Sequence, residues 1–175
     1  MLTHEVIEKQ VLQIIRELSM RKQTVGFAES CTGGSLSAAL AAVSGASQIF
    51  KGSVIAYANE IKIDILGVPS ESLFKHGAVS AEVAREMSLG VQRVLNLDWA
   101  ISITGIAGPN GGSEAKPVGT VFISVAGPNA EKKSGVSAQV RVEKYLFSGN
   151  RAEIQKTTVH QALTLLIEEI EKLNR

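Results

Sequence analysis

Two stretches of this sequence carry side chains in patterns that could do chemistry. The first is Glu29-Ser30-Cys31-Thr32-Gly33-Gly34, which follows a short apolar run and precedes an Ala/Leu-rich one. A hydroxyl at such a strand-to-helix turn points into a crevice, and free backbone N–H groups at the helix start hold an oxyanion or a phosphate. Ser30 and its neighbour Cys31 are both candidate nucleophiles, and the spacing does not select between them. A purely structural alternative stands beside this: Ser30 or Thr32 caps the helix, the glycines permit tight packing, and Cys31 is a small buried hydrophobe. The second stretch, Thr104-Gly-Ile-Ala-Gly-Pro-Asn-Gly-Gly112, is dense in glycine. Its backbone N–H groups suit an anion, and its bland counterpart is a structural turn.

A serine nucleophile needs a base to accept its proton. No motif links His4, His76 or His160, or either aspartate, Asp64 or Asp98, to Ser30. Triads assemble from distant sequence, yet each histidine reads first as a surface or packing residue. The other kind of base is a lysine kept neutral by burial against an apolar wall. Lys62 sits in Ile61-Lys62-Ile63, shortly after Tyr57, although a solvated lysine is the ordinary state of that residue type.

The surrounding periodicities supply elements to hold these residues. Apolar positions recur at helical spacing from Thr3 to Lys22, and Thr24 to Ala28 reads as a strand leading through the first glycine turn into a helix from Ser35 to Val43. Gln48 to Tyr57 looks like a second strand, entered through a loop at Ser44 to Ser47. Asn59 to Leu66 alternates like a strand at Ile61, Ile63 and Ile65, but Asn59 offers a cap and Gly67 with Pro69 an end, which favours a short helix. Ser80 caps a helix that runs to Leu95. Trp99 to Ile103 is a strand that runs into the second glycine loop. Gly119 to Ala126 and Val136 to Phe147 form a hairpin around a polar turn at Gly127 to Gly135. A last helix, from about Asn150 to Leu173, carries the seam Val159, Leu163, Leu166, Ile170 and Leu173, which fits either the core or a partner helix.

Strands interleaved with helices predict an α/β fold: a three-layer α/β/α sandwich on a mixed, mostly parallel sheet. Ligands in such folds gather at the carboxyl ends of strands, where both glycine-rich loops lie. The 175 residues fit one compact domain over residues 1–175. With 18 Lys and Arg against 17 Asp and Glu, no basic field makes nucleic acid the default partner. A single cysteine cannot form an internal disulfide, no cysteine cluster has zinc-site spacing, and no window has the length and apolarity of a membrane span. The expectation is a cytoplasmic protein with no metal, no nucleic acid and no membrane among its partners.

The strings AESCTGG, VIAYANEIK, HGAVSAEVA and TGIAGPNGGSEAKPVGTV, in this order, resemble the CinA C-terminal domain family, the nicotinamide-nucleotide amidohydrolases. The resemblance covers the chain from Phe27 to about Leu166. It implies hydrolysis of the carboxamide of nicotinamide mononucleotide to nicotinate mononucleotide and ammonia, a salvage step in pyridine nucleotide recycling that needs no cofactor. In that family a serine of the ESCTGG string is the nucleophile, assisted by the tyrosine and lysine of the Y-x-N-x-x-K string. By match these are Ser30, Tyr57 and Lys62, with Tyr57 relaying the proton or orienting the amine. Substrate binding is implied for Thr32, Gly33 and Gly34 of the first turn, for Thr104, Gly105, Gly111 and Gly112 of the second loop, and for Arg151, with Lys116 near that loop.

Departures from the family pattern limit the match. Asn150 stands where an aspartate is usual and Gln155 where a second basic residue is common, so a phosphate role for Arg151 has less support around it. Ala58 and Ser53 replace a frequent serine and a frequent glycine. The stand-alone form implied here lacks the N-terminal molybdopterin-binding-like domain that some members carry. Two other functions remain open: a non-catalytic nucleotide-binding module associated with competence or DNA repair, and an amidase for another small amide. A homo-oligomer is expected, with a dimer favoured.

Overall fold

The computed structural model describes residues 3–128 and 139–173. Its middle strand, β1 (Val25–Glu29), is buried at every position because sheet neighbours flank both edges and helices cover both faces. The sheet runs β2 (Phe50–Ile55), β1, β3 (Trp99–Gly105), β4 (Thr120–Ala126), β5 (Val140–Leu146). β1 is parallel to β2 and to β3, and β4 is antiparallel to β3 and to β5. Every strand but β4 therefore points the same way, as the mixed, mostly parallel sheet requires, although the ladders divide evenly into two parallel and two antiparallel.

Strand alternation sends successive side chains to opposite faces, and this builds two cores of different depth. Val25 and Phe27 of β1, Trp99, Ile101 and Ile103 of β3 and Val121, Ile123 and Val125 of β4 face α1 (His4–Arg21), α2 (Ser35–Ala41) and α6 (Arg151–Lys172). The other face presents the small side chains of Ala28, Ala100 and Ala126 to α5 (Ala81–Leu95), whose Val83, Met87 and Val91 are fully buried. Each of those three contributes roughly 1.5–3 kcal/mol by leaving water. α3 (Asn59–Asp64) is followed by α4 (Ser70–His76), which lies beside α5. The layers are those of the expected sandwich.

Several boundaries depart from the sequence reading. Residues Ala46–Gln48 form a turn of 3₁₀ helix, so β2 starts at Phe50. α4 was not foreseen: none of its residues is buried, so it has no apolar stripe to betray it. The ambiguous segment after Tyr57 is helical. β4 and β5 pair as the expected antiparallel hairpin, while the turn placed at Gly127 to Gly135 and the strand start at Val136 fall largely outside the described residues. In α6, Val159, Leu163, Leu166 and Ile170 are buried within this chain and only Leu173 of the seam is exposed, so the seam is core. Asn150 begins α6 with a reciprocal capping box to Glu153.

Gly90 shows how closely α5 lies against the chain just beyond α3. A Cβ at that position would stand 2.1 Å from the Leu66 carbonyl oxygen. In a free helix Gly→Ala stabilises by about 1 kcal/mol; here Gly90→Ala is expected to destabilise by about 2 kcal/mol or more through overpacking, read as a lower urea midpoint.

Candidate active site

The register of the sheet brings the chemistry-bearing segments together. Glu29 pairs with Ile55 on one side and with Ile103 on the other. Three parallel strands thus end at one level, and their exits face the same space: Ser30 after β1, Tyr57 after β2, and the glycine loop at the end of β3. The Ser30 amide donates to the Ile103 carbonyl at 3.0 Å, which ties the first turn to the second loop. Between them lies a cleft of about 270 Å³ lined by Ser30, Tyr57, Lys62, Thr104, Gly105 and Arg151, among others.

Lys62 is the unusual member, a lysine only 1% exposed. α3 is short and turns straight back from the end of β2, which aims its fourth residue at the strand ends instead of at solvent. The amine lies 2.7 Å from the Ala56 carbonyl oxygen, 3.3 Å from that of Tyr57 and 3.3 Å from Ser30 Oγ. Burial pulls its pKa below the ordinary 10.5 and outweighs Cys31 and Glu60, which act in the opposite sense. An ammonium donates to all three oxygens. A neutral amine has two N–H donors and one lone pair. With the carbonyls taking the donors, the lone pair is left for the Ser30 hydroxyl, the arrangement a general base needs.

Cys31 is a poor rival. It is 6% exposed, and burial pushes its thiol up to about 12, so it stays protonated and packs with the core under α2. The histidines do no better. His160 is hydrogen-bonded to Gln10, His76 sits 3.7 Å from Glu82, His4 is exposed, and none of the three lines the cleft. Asp98 is occupied by the Thr24 amide and hydroxyl, and Asp64 is exposed on α3. Among the described residues no group of three or more His, Cys, Asp or Glu could hold a metal ion, and no helix is long and apolar enough to cross a membrane.

The start of α2 is not the open anion site that the sequence implied. Glu29, fully buried, accepts from the Gly34 and Leu36 amides through one oxygen and from the Ser37 amide and hydroxyl through the other. The Gly33 amide donates to the Ser30 carbonyl and the Ser35 amide to that of Thr32. Thr32, Gly33 and Gly34 accordingly do not line the cleft; the two glycines serve the turn, with φ of +59° and +101°. Glu29 was missed because nothing in the sequence distinguishes an inward-turned glutamate from a solvated one.

Tyr57 and Arg151 meet, but not as implied. The exposed Tyr57 phenol accepts from Arg151 at 2.9 Å, and Arg151 also donates to the Gly108 carbonyl at 2.9 Å, spanning from the end of β2 to the glycine loop. Tyr57 reaches the amine through its main-chain carbonyl, so a phenolic proton relay has no contact to support it. Arg151 is placed without the missing aspartate. Gln155, in the position of the absent basic residue, donates to the Cys31 carbonyl at 2.8 Å and braces the Ser30 turn from α6. In the second loop, Thr104 donates to the Ala78 carbonyl at 2.7 Å and lines the cleft with Gly105 and Gly111. Gly112 lies outside it, against Val118. Lys116 donates to the His76 carbonyl at 2.9 Å, which fastens the segment whose Ala78 and Val79 form another wall. Those two belong to the HGAVSAEVA string, to which motif matching assigned no site residue.

Fold and cleft together define an α/β sandwich with a buried lysine amine facing a serine at the ends of its parallel strands. The chain belongs to the CinA C-terminal domain family, whose sequence profile matches residues 7–170. It is 49% identical over 155 residues to a CinA-like protein of Prochlorococcus marinus strain MIT 9515, an alignment covering 87% of this chain and 34% of that protein. A second CinA-like protein, from strain MIT 9301, is 51% identical over 154 residues, with 87% and 35% covered. The chain thus spans about a third of the length of these curated relatives. Among solved structures it resembles the competence/damage inducible protein CihA of Agrobacterium tumefaciens, with a TM-score of 0.87, 35% identity, and 93% and 94% of the two chains covered. It also resembles the competence damage-inducible protein A (ComA) of Klebsiella pneumoniae, with a TM-score of 0.85, 31% identity, and 97% and 98% covered.

A lysine whose pKa is lowered on folding binds its proton more readily when unfolded, so between its folded value and 10.5 stability rises with pH. The stability of the native protein relative to the Lys62→Met variant should therefore increase as pH is raised toward 10.5, measured by urea unfolding at a series of pH values. A gap independent of pH would mean that the amine titrates alike in both states.

Proposed function

We propose that the protein hydrolyses the carboxamide of nicotinamide mononucleotide to nicotinate mononucleotide and ammonia. The observation that carries this reading is the buried Lys62 amine, 3.3 Å from Ser30 Oγ and held by two main-chain carbonyls. Neutral Lys62 takes the hydroxyl proton as Ser30 Oγ bonds to the amide carbon. The resulting ammonium returns that proton to the nitrogen as the C–N bond breaks, releasing ammonia and leaving an ester on Ser30. Water then attacks the ester, giving its proton to Lys62, and the acid leaves as Ser30 regains its hydrogen. The amides of Gly33 to Ser37 are engaged within the turn and are not available to the oxyanion.

The choice of substrate rests on family membership together with the make-up of the cleft. An amide-cleaving pair sits at one side and a guanidinium at the other, and guanidinium geometry suits a phosphate. Arg151 donates to the Tyr57 phenol and the Gly108 carbonyl, both of which a phosphate oxygen can replace. No resident cofactor enters these steps. The reaction belongs to pyridine nucleotide salvage in the cytoplasm.

Ammonia release from the purified protein tests the assignment. Ser30→Ala and Lys62→Met are each expected to lower kcat by about a thousandfold or more with the fold retained, while Cys31→Ala stays within about threefold of the parent. If the mononucleotide raises thermal stability but no ammonia appears, the protein is a binding module and not an amidase. Full activity in Ser30→Ala would remove serine as the nucleophile.

A further inference from the structure

We propose that Glu29 is a positioning residue for Ser30: its carboxylate fills the anion site at the start of α2 from inside the protein and so fixes the turn that carries the nucleophile. This deepens the assignment of Ser30 as nucleophile and rests on it. Glu29 is the last residue of β1 and the immediate neighbour of Ser30, and it is fully buried. Between it and α2 stand Gly33 and Gly34, both in left-handed conformations that leave the backbone soft. The side chain bridges this soft segment, reaching the Gly34, Leu36 and Ser37 amides at 3.1, 3.0 and 2.9 Å and the Ser37 hydroxyl as well. From the far side Gln155 holds the Cys31 carbonyl. The turn is thereby clamped before and after Ser30, and Glu29 ties it to three residues of the start of α2, beside a single bond from the Ser35 hydroxyl to the Thr32 carbonyl at 2.7 Å.

The charge belongs where it is. A buried carboxylate is tolerated when donors saturate it, and the N-terminal end of a helix favours a negative group. Both oxygens are in use, each taking two donors. Glu29→Gln keeps the volume but replaces one acceptor with an NH₂ donor. Whichever way that amide is turned, it faces backbone N–H groups, and either the Gly34 and Leu36 pair or the Ser37 amide loses its acceptor. The turn must shift to relieve this, and a displacement near 1 Å of a reacting atom lowers a rate by roughly a hundredfold.

The test uses diisopropyl fluorophosphate, which labels an activated serine without needing the natural substrate. Ser30 Oγ forms a bond to phosphorus, the P–F bond breaks, fluoride leaves and Lys62 takes the hydroxyl proton. On protein shown by thermal unfolding to be folded at the assay temperature, Glu29→Gln should slow labelling of Ser30 by roughly 10- to 100-fold. It should lower kcat for nicotinamide mononucleotide by a similar factor and leave KM within about twofold, with the acid limb of the pH profile unmoved because Lys62 is untouched. Ser37→Ala, a milder change that deletes one of the four bonds, should slow labelling by a few-fold and covers the case in which Glu29→Gln does not fold. Native labelling rates in either folded variant, or a loss confined to KM, would overturn the proposal. So would failure of the reagent to label Ser30 in the native protein. If the native protein is labelled but releases no ammonia from the mononucleotide, the substrate reading falls while slowed labelling in the variants still supports Glu29.

Discussion

The cleft depends on one almost fully buried amine. Lys62 lies behind the ends of three parallel strands, and two main-chain carbonyls occupy the donors that a neutral amine possesses. In the proposed reaction the neutral amine then presents its lone pair to Ser30. Carbonyls of the strand exit play the part in this proposal that a carboxylate plays for histidine in a triad: they hold the amine in the orientation in which it would accept. Because these acceptors carry no formal charge, they orient the amine without stabilising its cationic form as a carboxylate would, and burial keeps the upper hand over its pKa.

Everything around the amine serves to keep the strand ends level and still. The fully buried β1 stands between β2 and β3, so the Ser30 turn inherits the rigidity of the centre of the sheet. The deep core under α1, α2 and α6 holds one face. On the other, alanines let α5 lie close and carry the segment of Ala78 and Val79 to the cleft wall. Main-chain carbonyls do much of the fastening: Ile103 receives the Ser30 amide, Cys31 receives Gln155, Ala78 receives Thr104 and Gly108 receives Arg151. Such anchors tie the backbone to groups far away in sequence, and the cleft keeps its shape although its second wall is a glycine loop.

Much of this was legible in the sequence because periodicity reports burial. The strand–glycine turn–helix unit, the amphipathic α5 and the hairpin of β4 and β5 each announce themselves, and the parallel arrangement that brings two glycine loops to one end results from their order. The rest was hidden for identifiable reasons. α4 has no buried face and hence no period. Lys62 sits among isoleucines on an amphipathic segment and reads as solvated; its burial comes from where α3 turns, which is tertiary. Motif matching assigned Thr32, Gly33 and Gly34 to substrate, whereas the Gly34 amide is held by the neighbouring Glu29 and the Gly33 amide by the Ser30 carbonyl. Gln155 looked like a lost charge and is a brace, and Tyr57 looked like a phenolic assistant although its carbonyl is the group that touches the amine.

The central claim is that Lys62 is a base because folding lowers its proton affinity. The most direct measurement is the ionisation of its side-chain nitrogen, followed by nitrogen-15 resonance in lysine-labelled protein and assigned by loss of the signal in Lys62→Met. The account predicts that this nitrogen titrates below 10.5, with a midpoint that coincides with the acid limb of turnover. A midpoint at or above 10.5 would leave the amine charged throughout the working range, and Ser30 would have no base.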